Sequence, residues 1–271
     1  MKAYTGPVAG DSSEHTTQEL TEPLEAVTQR LHPVTLPPTT SPLPSGEHAR
    51  PDLNALQKQE VVGRGGMGVV HAARDPVLRR DVALKVMRRK QTRTSERRFV
   101  TEAQVTAQLE HPYIVPIYSC DLSSEPMSYS MKLVHGSTLT ELIEQSAAAR
   151  RKGGVVPPEL QLTTLLHHLV KVCEALAYAH DKGVVHRDLK PDNIMVGDHG
   201  QVYVMDWGLA RVRGAEDILD LPTMNDMTLP GYALGSVGYM APEQALGQPM
   251  GPPCDQYALG LILFQVLAGR R

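Results

Sequence analysis

Cysteine is scarce in this sequence. Cys120, Cys173 and Cys254 are the three in 271 residues, and they stand far apart. Such a set forms neither a disulfide framework nor a zinc spacing, and reduced thiols in a cytoplasmic setting are the simpler reading. Long apolar runs are lacking as well. The longest, Ala258 to Ala268, is interrupted by Gln265; it is too short to cross a bilayer and suits a buried helix. The opening MKAYTGPVAGDSSEH has no apolar core of signal-peptide length. Neither sign of charge dominates. With 27 Lys and Arg against 30 Asp and Glu, the formal net charge of -3 gives no reason to expect nucleic acid or an anionic membrane as partner. No repeat-protein period is present. What remains is a globular composition, 41% hydrophobic and 21% charged, with chain enough for one or two domains and a sizeable core.

Residues 1–55 differ in texture from the rest. They are rich in Pro, Ser, Thr and Glu, as in HPVTLPPTTSPLPSGEHARP, and cannot bury enough apolar surface to offset their ordering entropy. A disordered, partly extended tail is expected there, serving as a linker or as a docking or phosphorylation segment. From Leu56 the pattern changes. QKQEVVGRGGMGVVHAAR reads as two strands joined by a turn carrying Gly63, Gly65, Gly66 and Gly68. Glycines allow a tight turn whose amides approach phosphate oxygens. A dinucleotide site would need a helix after these glycines, but Val69, Val70 and His71 continue as a strand. In the next strand Val82 and Leu84 alternate with Ala83 and Lys85, so Lys85 lies on the opposite face, where a phosphate held by the turn needs a cation.

Ser95 to Leu109 has a capping start and helical spacing of Phe99, Ala103, Thr106 and Ala107, with Glu102 mid-helix and within reach of Lys85. Two more strands follow, and Pro112 and Pro116 mark edges or turns. Ser137 to Arg150 and Pro158 to His180 read as helices, the second with a leucine-rich face that includes Cys173. His167, His168 and His180 have no carboxylate or cysteine at ligand spacing, so ordinary helix histidines are favoured over a metal site.

The densest chemistry lies between Val184 and Ala210, in VVHRDLKPDNIMVGDHGQVYVMDWGLA. Asp188 is placed to receive a proton, Lys190 to offset charge on a transferred group, and Asn193 with Asp206 to offer oxygens to magnesium. That set suits phosphoryl transfer, where a protein mainly positions reactants and stabilises charge. Arg211 to Leu234 is a long connection bearing Thr223, Thr228 and Tyr232, with Ser236 just beyond. An apolar helix closes the sequence, with Asp255 as its expected cap.

Taken in order, VVGRGGMGVV, VALK, a helix glutamate, HRDLKPDN, DWG and APE make the sequence from about Leu56 to Arg271 resemble the eukaryotic-like, bacterial-type serine/threonine protein kinases. The resemblance implies an α+β, two-lobed fold. A small antiparallel β lobe with one helix would span about 56–134, and a mainly helical large lobe, lacking its last helices, about 135–271. It implies transfer of the γ-phosphate of ATP, with Mg2+, to Ser or Thr hydroxyls of a protein substrate, in signalling. Asp188 would be the base, with Lys190 and Asn193 beside it. Val62, Gly63, Arg64, Gly65, Gly66, Met67, Gly68 and Val69 would form the loop over the phosphates. Lys85 would contact those phosphates and pair with Glu102. Val70, Ala83, Met131 and Met195 would enclose adenine, and the backbone of Lys132 and Val134 would bond it. Asn193 and Asp206 would hold the metal. Arg187 implies control by a phosphate on Thr223 or Thr228, and Ser236 would bond the base and Lys190. Trp207 replaces the usual phenylalanine and is expected to pack against the Glu102 helix. Missing helices would leave Glu243 a buried charge without its arginine, and a partner would cover the exposed end of the large lobe. Two alternatives stay open at this point: a nucleotide-binding scaffold or inactive fragment, and a small-molecule kinase of related fold, against which DLKPDN and APE speak.

Overall fold

A computed structural model describes residues 53–66, 68–88, 92–153, 155–208, 210–212 and 238–270. Met67, Thr223, Thr228 and Ser236 lie outside them, as does the tail up to residue 52. The first part is a five-stranded antiparallel sheet in the order β1-β2-β3-β5-β4, formed by β1 (Gln57–Arg64), β2 (Gly68–Asp75), β3 (Arg80–Met87), β4 (Ile117–Asp121) and β5 (Ser128–Lys132). The alternation read in VALK holds. Val82 and Leu84 pack on Ala73 and Leu53, while Lys85 turns the other way. Leu53 is 5% exposed within a short 3-10 turn, Leu53–Ala55. The folded part therefore reaches further back than composition suggested, because a single leucine plugs the back of the sheet.

Helix α1 (Arg93–Gln108) packs on this sheet. Thr92 caps it by accepting a bond from the Ser95 N–H at 3.2 Å. Its inner face buries Phe99, Glu102, Ala103, Val105 and Thr106. Ala107 is exposed, so the stripe lies slightly rotated from the expected one.

The second part is mainly helical. Gly136–Thr138 is a strand, β6, and not the start of a helix; α2 (Leu139–Arg151) begins only after Thr138. A capping box fixes that start, with Thr138 Oγ1 accepting from the Glu141 N–H and the Glu141 carboxylate from the Thr138 N–H. The expected helix from Pro158 divides into a 3-10 turn, Pro158–Leu160, and α3 (Leu162–Asp181), because Gln161 is extended. Along α3, Leu165, Leu169, Val172, Leu176 and Ala179 are buried at helical spacing, while Cys173 is exposed. They meet Ala258, Ile262 and Val266 of α5 (Pro252–Ala268). Helix α5 starts with Pro252 and Pro253 in its first turn and stops at Gly269, whose left-handed backbone (φ 65°) donates to Gln265 O. Its other side exposes Tyr257, Phe264 and Leu267.

Between the helices lie β7 (Val184–Val185) paired with β10 (Arg211–Val212), and the sheet β6-β8-β9 that includes β8 (Ile194–Gly197) and β9 (Val202–Val204). Gly136 is obligatory in that sheet. Its φ is 150°, and a Cβ there would sit 2.0 Å from Val196 O. The short helix α4 (Pro242–Ala245) buries none of its residues, so Glu243 is half-buried and not the fully buried charge expected from the sequence.

The two parts meet directly. The segment after α1 runs beside β9, with Ile114 bridged to Val204, Val115 N–H donating to Val204 O and Val204 N–H donating to Tyr113 O.

Candidate active site

The glycine turn is closed by Gly65 N–H donating to Gly68 O at 2.9 Å. Gly68 is sterically required, since a Cβ there would stand 2.8 Å from Val86 O. Gly65 and Gly66 have open space where a Cβ would stand, so no side chain crowds the top of the turn, although the Gly65 N–H is already spent on Gly68 O. Beneath the turn is a cleft of about 450 Å³. Val70, Ala83, Met131 and Met195 form its apolar walls together with Val62, which the sequence reading placed in the loop over the phosphates, and Met205, which it did not single out. Lys132 and Val134 line the connecting segment. Of the main-chain groups proposed there for a base, the Lys132 N–H is already committed to Pro116 O at 3.1 Å.

Lys85 Nζ donates to both carboxylate oxygens of Glu102, at 2.6 and 2.7 Å. Burial pulls the Lys85 ammonium down, but Glu102 and then Asp206 outweigh it and leave its pKa raised, so Lys85 is charged. Glu102 also accepts from the Tyr129 hydroxyl at 2.7 Å.

Behind the cleft the Asp188 loop is held by a residue far along the chain. Asp255, 1% exposed, accepts the His186 N–H at 2.9 Å, the Arg187 N–H at 2.8 Å and His180 Nε2 at 2.8 Å. It does not cap its own helix; Gly251 occupies that position. Arg187, buried, adopts φ 68°, and its carbonyl accepts Gln244 Nε2 at 2.7 Å. An Asp-backed loop thus carries a left-handed residue immediately before Asp188. Lys190 Nζ reaches Asp188 Oδ2 at 2.9 Å. Burial opposes the Lys190 charge, but Asp188, Asp206 and Asp192 together raise its pKa. Asn193 Nδ2 donates to Asp188 O at 2.9 Å, which leaves its amide oxygen to face elsewhere.

Asp206 also has a left-handed backbone, φ 63°. Its carboxylate acts electrostatically on both Lys85 and Lys190. The sheet lysine, the Asp188 loop and Asp206 therefore share one space. His186 ties the two loops, with Nε2–H donating to Met205 O at 3.0 Å. Trp207 lies against the His186 ring, centroids 4.6 Å apart, and belongs to the same core as Val105 and Leu109 at the end of α1, the helix it was expected to pack against.

The donor set fits magnesium rather than a tight all-protein metal site. Asp206 and Asn193 offer hard oxygens, and no group of three or more His, Cys, Asp or Glu suited to a metal occurs among the described residues. Two protein oxygens with water and phosphate completing the shell is how that ion is usually held. Among the same residues no helix is long and apolar enough to cross a membrane.

The model of the protein kinase domain matches residues 56–271. This chain belongs to the protein kinase family. Relatives of this chain include the serine/threonine-protein kinase PknD of Protochlamydia amoebophila, 40% identical over 217 residues. The PknD proteins of Chlamydia pneumoniae and Chlamydia felis are 38% and 37% identical. In each case the alignment takes in 76% of this chain but only 22–23% of the relative. The chain thus spans about a quarter of the length of the curated relatives it matches.

Sequence reading missed Asp255 as the support of the Asp188 loop and Tyr129 as a partner of Glu102. An aspartate in the first turn of a helix signals a cap, and nothing local reveals acceptance of amides 68 and 69 residues away.

Proposed function

We propose that this chain is the catalytic part of a protein serine/threonine kinase, transferring the γ-phosphate of ATP to Ser or Thr hydroxyls of a protein. The observation that carries it is the sharing of one space by the Lys85–Glu102 pair, Asp206 and the Asp188–Lys190–Asn193 loop, next to an apolar cleft. When bound, ATP supplies the phosphoryl group and magnesium offsets its charge.

The roles follow from position and charge. Val62, Val70, Ala83, Met131 and Met195 enclose the adenine, with main-chain groups at Lys132 and Val134 facing its edge. The turn from Gly63 to Gly68, with Arg64, Met67 and Val69, covers the phosphates. Lys85, charged and held by Glu102, directs its ammonium toward them. Asn193 and Asp206 hold the metal. Asp188 accepts the hydroxyl proton, and Lys190, bonded to Asp188 Oδ2, sits where negative charge develops. Regulation through Arg187, with Thr223, Thr228 or Ser236 on the loop, belongs to the same reading. A domain beginning near residue 53 does too, as does a cytoplasmic setting, consistent with the free thiols of Cys120, Cys173 and Cys254. The exposed Phe264 and Leu267 support a covering partner for α5, whichever chain supplies it.

The test is incubation of the purified chain with γ-labelled ATP, magnesium and a generic protein acceptor, beside Asp188→Asn and Lys85→Met. Loss of a proton acceptor removes about 100-fold or more in rate. Removing the ammonium should do similar damage. Labelling equal in wild type and both variants refutes the reading.

A further inference from the structure

A tyrosine on the central sheet has no part in the reading above, yet it is bonded to the residue that orients Lys85. Tyr129 is the second residue of β5 and is 1% exposed. Its hydroxyl donates to Glu102 Oε1 at 2.7 Å. The same oxygen accepts Lys85 Nζ at 2.6 Å, and the Tyr129 ring centroid is 5.7 Å from that ammonium. One side chain thus serves both members of the pair, its oxygen toward the carboxylate and its ring toward the cation.

The ring has a second anchor. Phe99, three residues before Glu102 and on the same face of α1, sits 5.1 Å from Tyr129 between centroids, at 49°. Ring and hydroxyl therefore grip α1 at two successive turns. Position 85 stands opposite position 129 in the register of β3 on β5. The sheet that carries the lysine also carries the clasp that fixes the lysine's partner. Burial, and then the Glu102 charge, push the Tyr129 phenol well above its usual pKa, so it stays a donor.

We infer that Tyr129 is a positioning residue: its hydroxyl holds Glu102 in place for Lys85, so that the pair is set before nucleotide arrives and stays set when phosphate oxygens draw on the ammonium. A buried carboxylate with only a lysine as partner swings when the lysine moves. A carboxylate with a second, neutral donor on a rigid strand does not. The consequence is felt where Lys85 meets developing charge, in kcat more than in nucleotide binding. This inference rests on the kinase reading of the site.

The test is Tyr129→Phe, which keeps the ring against Phe99 and removes one oxygen. Initial rates with γ-labelled MgATP are taken for wild type, Tyr129→Phe, Glu102→Gln, the double variant and Asp188→Asn. Expected is a fall in kcat of about tenfold in Tyr129→Phe, with KM for ATP within about twofold. On the Glu102→Gln background, where no carboxylate remains to hold, the same change should cost less than about twofold, the non-additivity expected of groups that act together. An unchanged kcat in Tyr129→Phe, or an equal fall on both backgrounds, overturns the inference. Wild type no faster than Asp188→Asn overturns the kinase reading instead, so the two failures are distinguishable.

Discussion

Replacing Asp255 with alanine should damage this domain more than any change at the cleft surface. Asp255 accepts two main-chain donors that have nowhere else to go, because His186 and Arg187 are 0% and 4% exposed. Each buried donor left unpaired costs about 1–3 kcal/mol, so the pair is worth about 2–6 kcal/mol. That is a large share of the stability of about 5–15 kcal/mol typical of a domain. For a domain of this size each kcal/mol moves Tm by about 2–4 °C, so a mid-range loss of about 4 kcal/mol lowers Tm by about 8–16 °C. Asp255→Asn keeps the shape and one acceptor and should lose about half as much. The assay is built in. Trp207 is the one tryptophan in the sequence, is fully buried, and its ring lies 4.6 Å from that of His186. Its emission should shift to the red as the loop comes apart. The pH dependence has a defined sign. Burial alone raises the Asp255 carboxyl, but the bond from His180, the neighbouring His186 ring and the two main-chain donors bring its pKa below the usual value. A carboxyl depressed in the folded state contributes its full stabilisation above the unfolded pKa of about 3.9 and loses it as pH falls toward the folded pKa. The Tm gap between wild type and Asp255→Asn should stay flat from neutral pH to about 5 and close below about 4. A Tm for Asp255→Ala within about 2 °C of wild type would refute the reasoning.

Three further outcomes are expected. Gly136→Ala places a Cβ 2.0 Å from Val196 O at φ 150°, so it should cost about 3 kcal/mol or more and show as lost soluble protein or a sharply lower melt. Gly65→Ala, with nothing within 4 Å, should change stability by less than about 0.5 kcal/mol, and equal losses at the two glycines would contradict the packing described. A disulfide reagent at pH 8 should modify the exposed Cys120 and Cys173 in the folded protein and spare Cys254, whose thiol burial and then Asp255 push up to about 12. Three equally fast thiols would be the contrary result.

How far the sequence reveals this site depends on the range of each interaction. The glycine hairpin, the alternation around Lys85 and the run from His186 to Asn193 are local, and their residue types are constrained by a turn, a strand face and a tight loop. They were legible. The Lys85–Glu102 pair was legible at one remove, since a lysine needing an anion and a mid-helix glutamate point at each other once the lobe is assumed. Asp255 was misread because helix-start chemistry and loop-holding chemistry use the same residue, and only the fold shows which donors arrive. Tyr129 carried no signal, since an aromatic in a strand reads as ordinary core. The start of α2 was available in Thr138 and Glu141, a T-x-x-E box that was passed over for the preceding glycine.

The backbone bonds joining Tyr113 and Val115 to Val204 have a mechanical consequence. They pin the trailing end of α1 to the strand that leads into Asp206, whereas the leading end follows a short connection from β3. The helix is therefore a door hung at one jamb, with the Phe99 and Tyr129 contacts to the sheet as its catch. Its 16 residues make a leaf about 24 Å long, and a swing of about 10° moves the free edge about 4 Å. Glu102, about 9 Å from the jamb, travels about two-fifths of that, on the order of 1.5 Å, which is already enough to part it from an ammonium 2.6 Å away. Small forces applied near Arg93 thus have long leverage over whether the latch at Lys85 is shut.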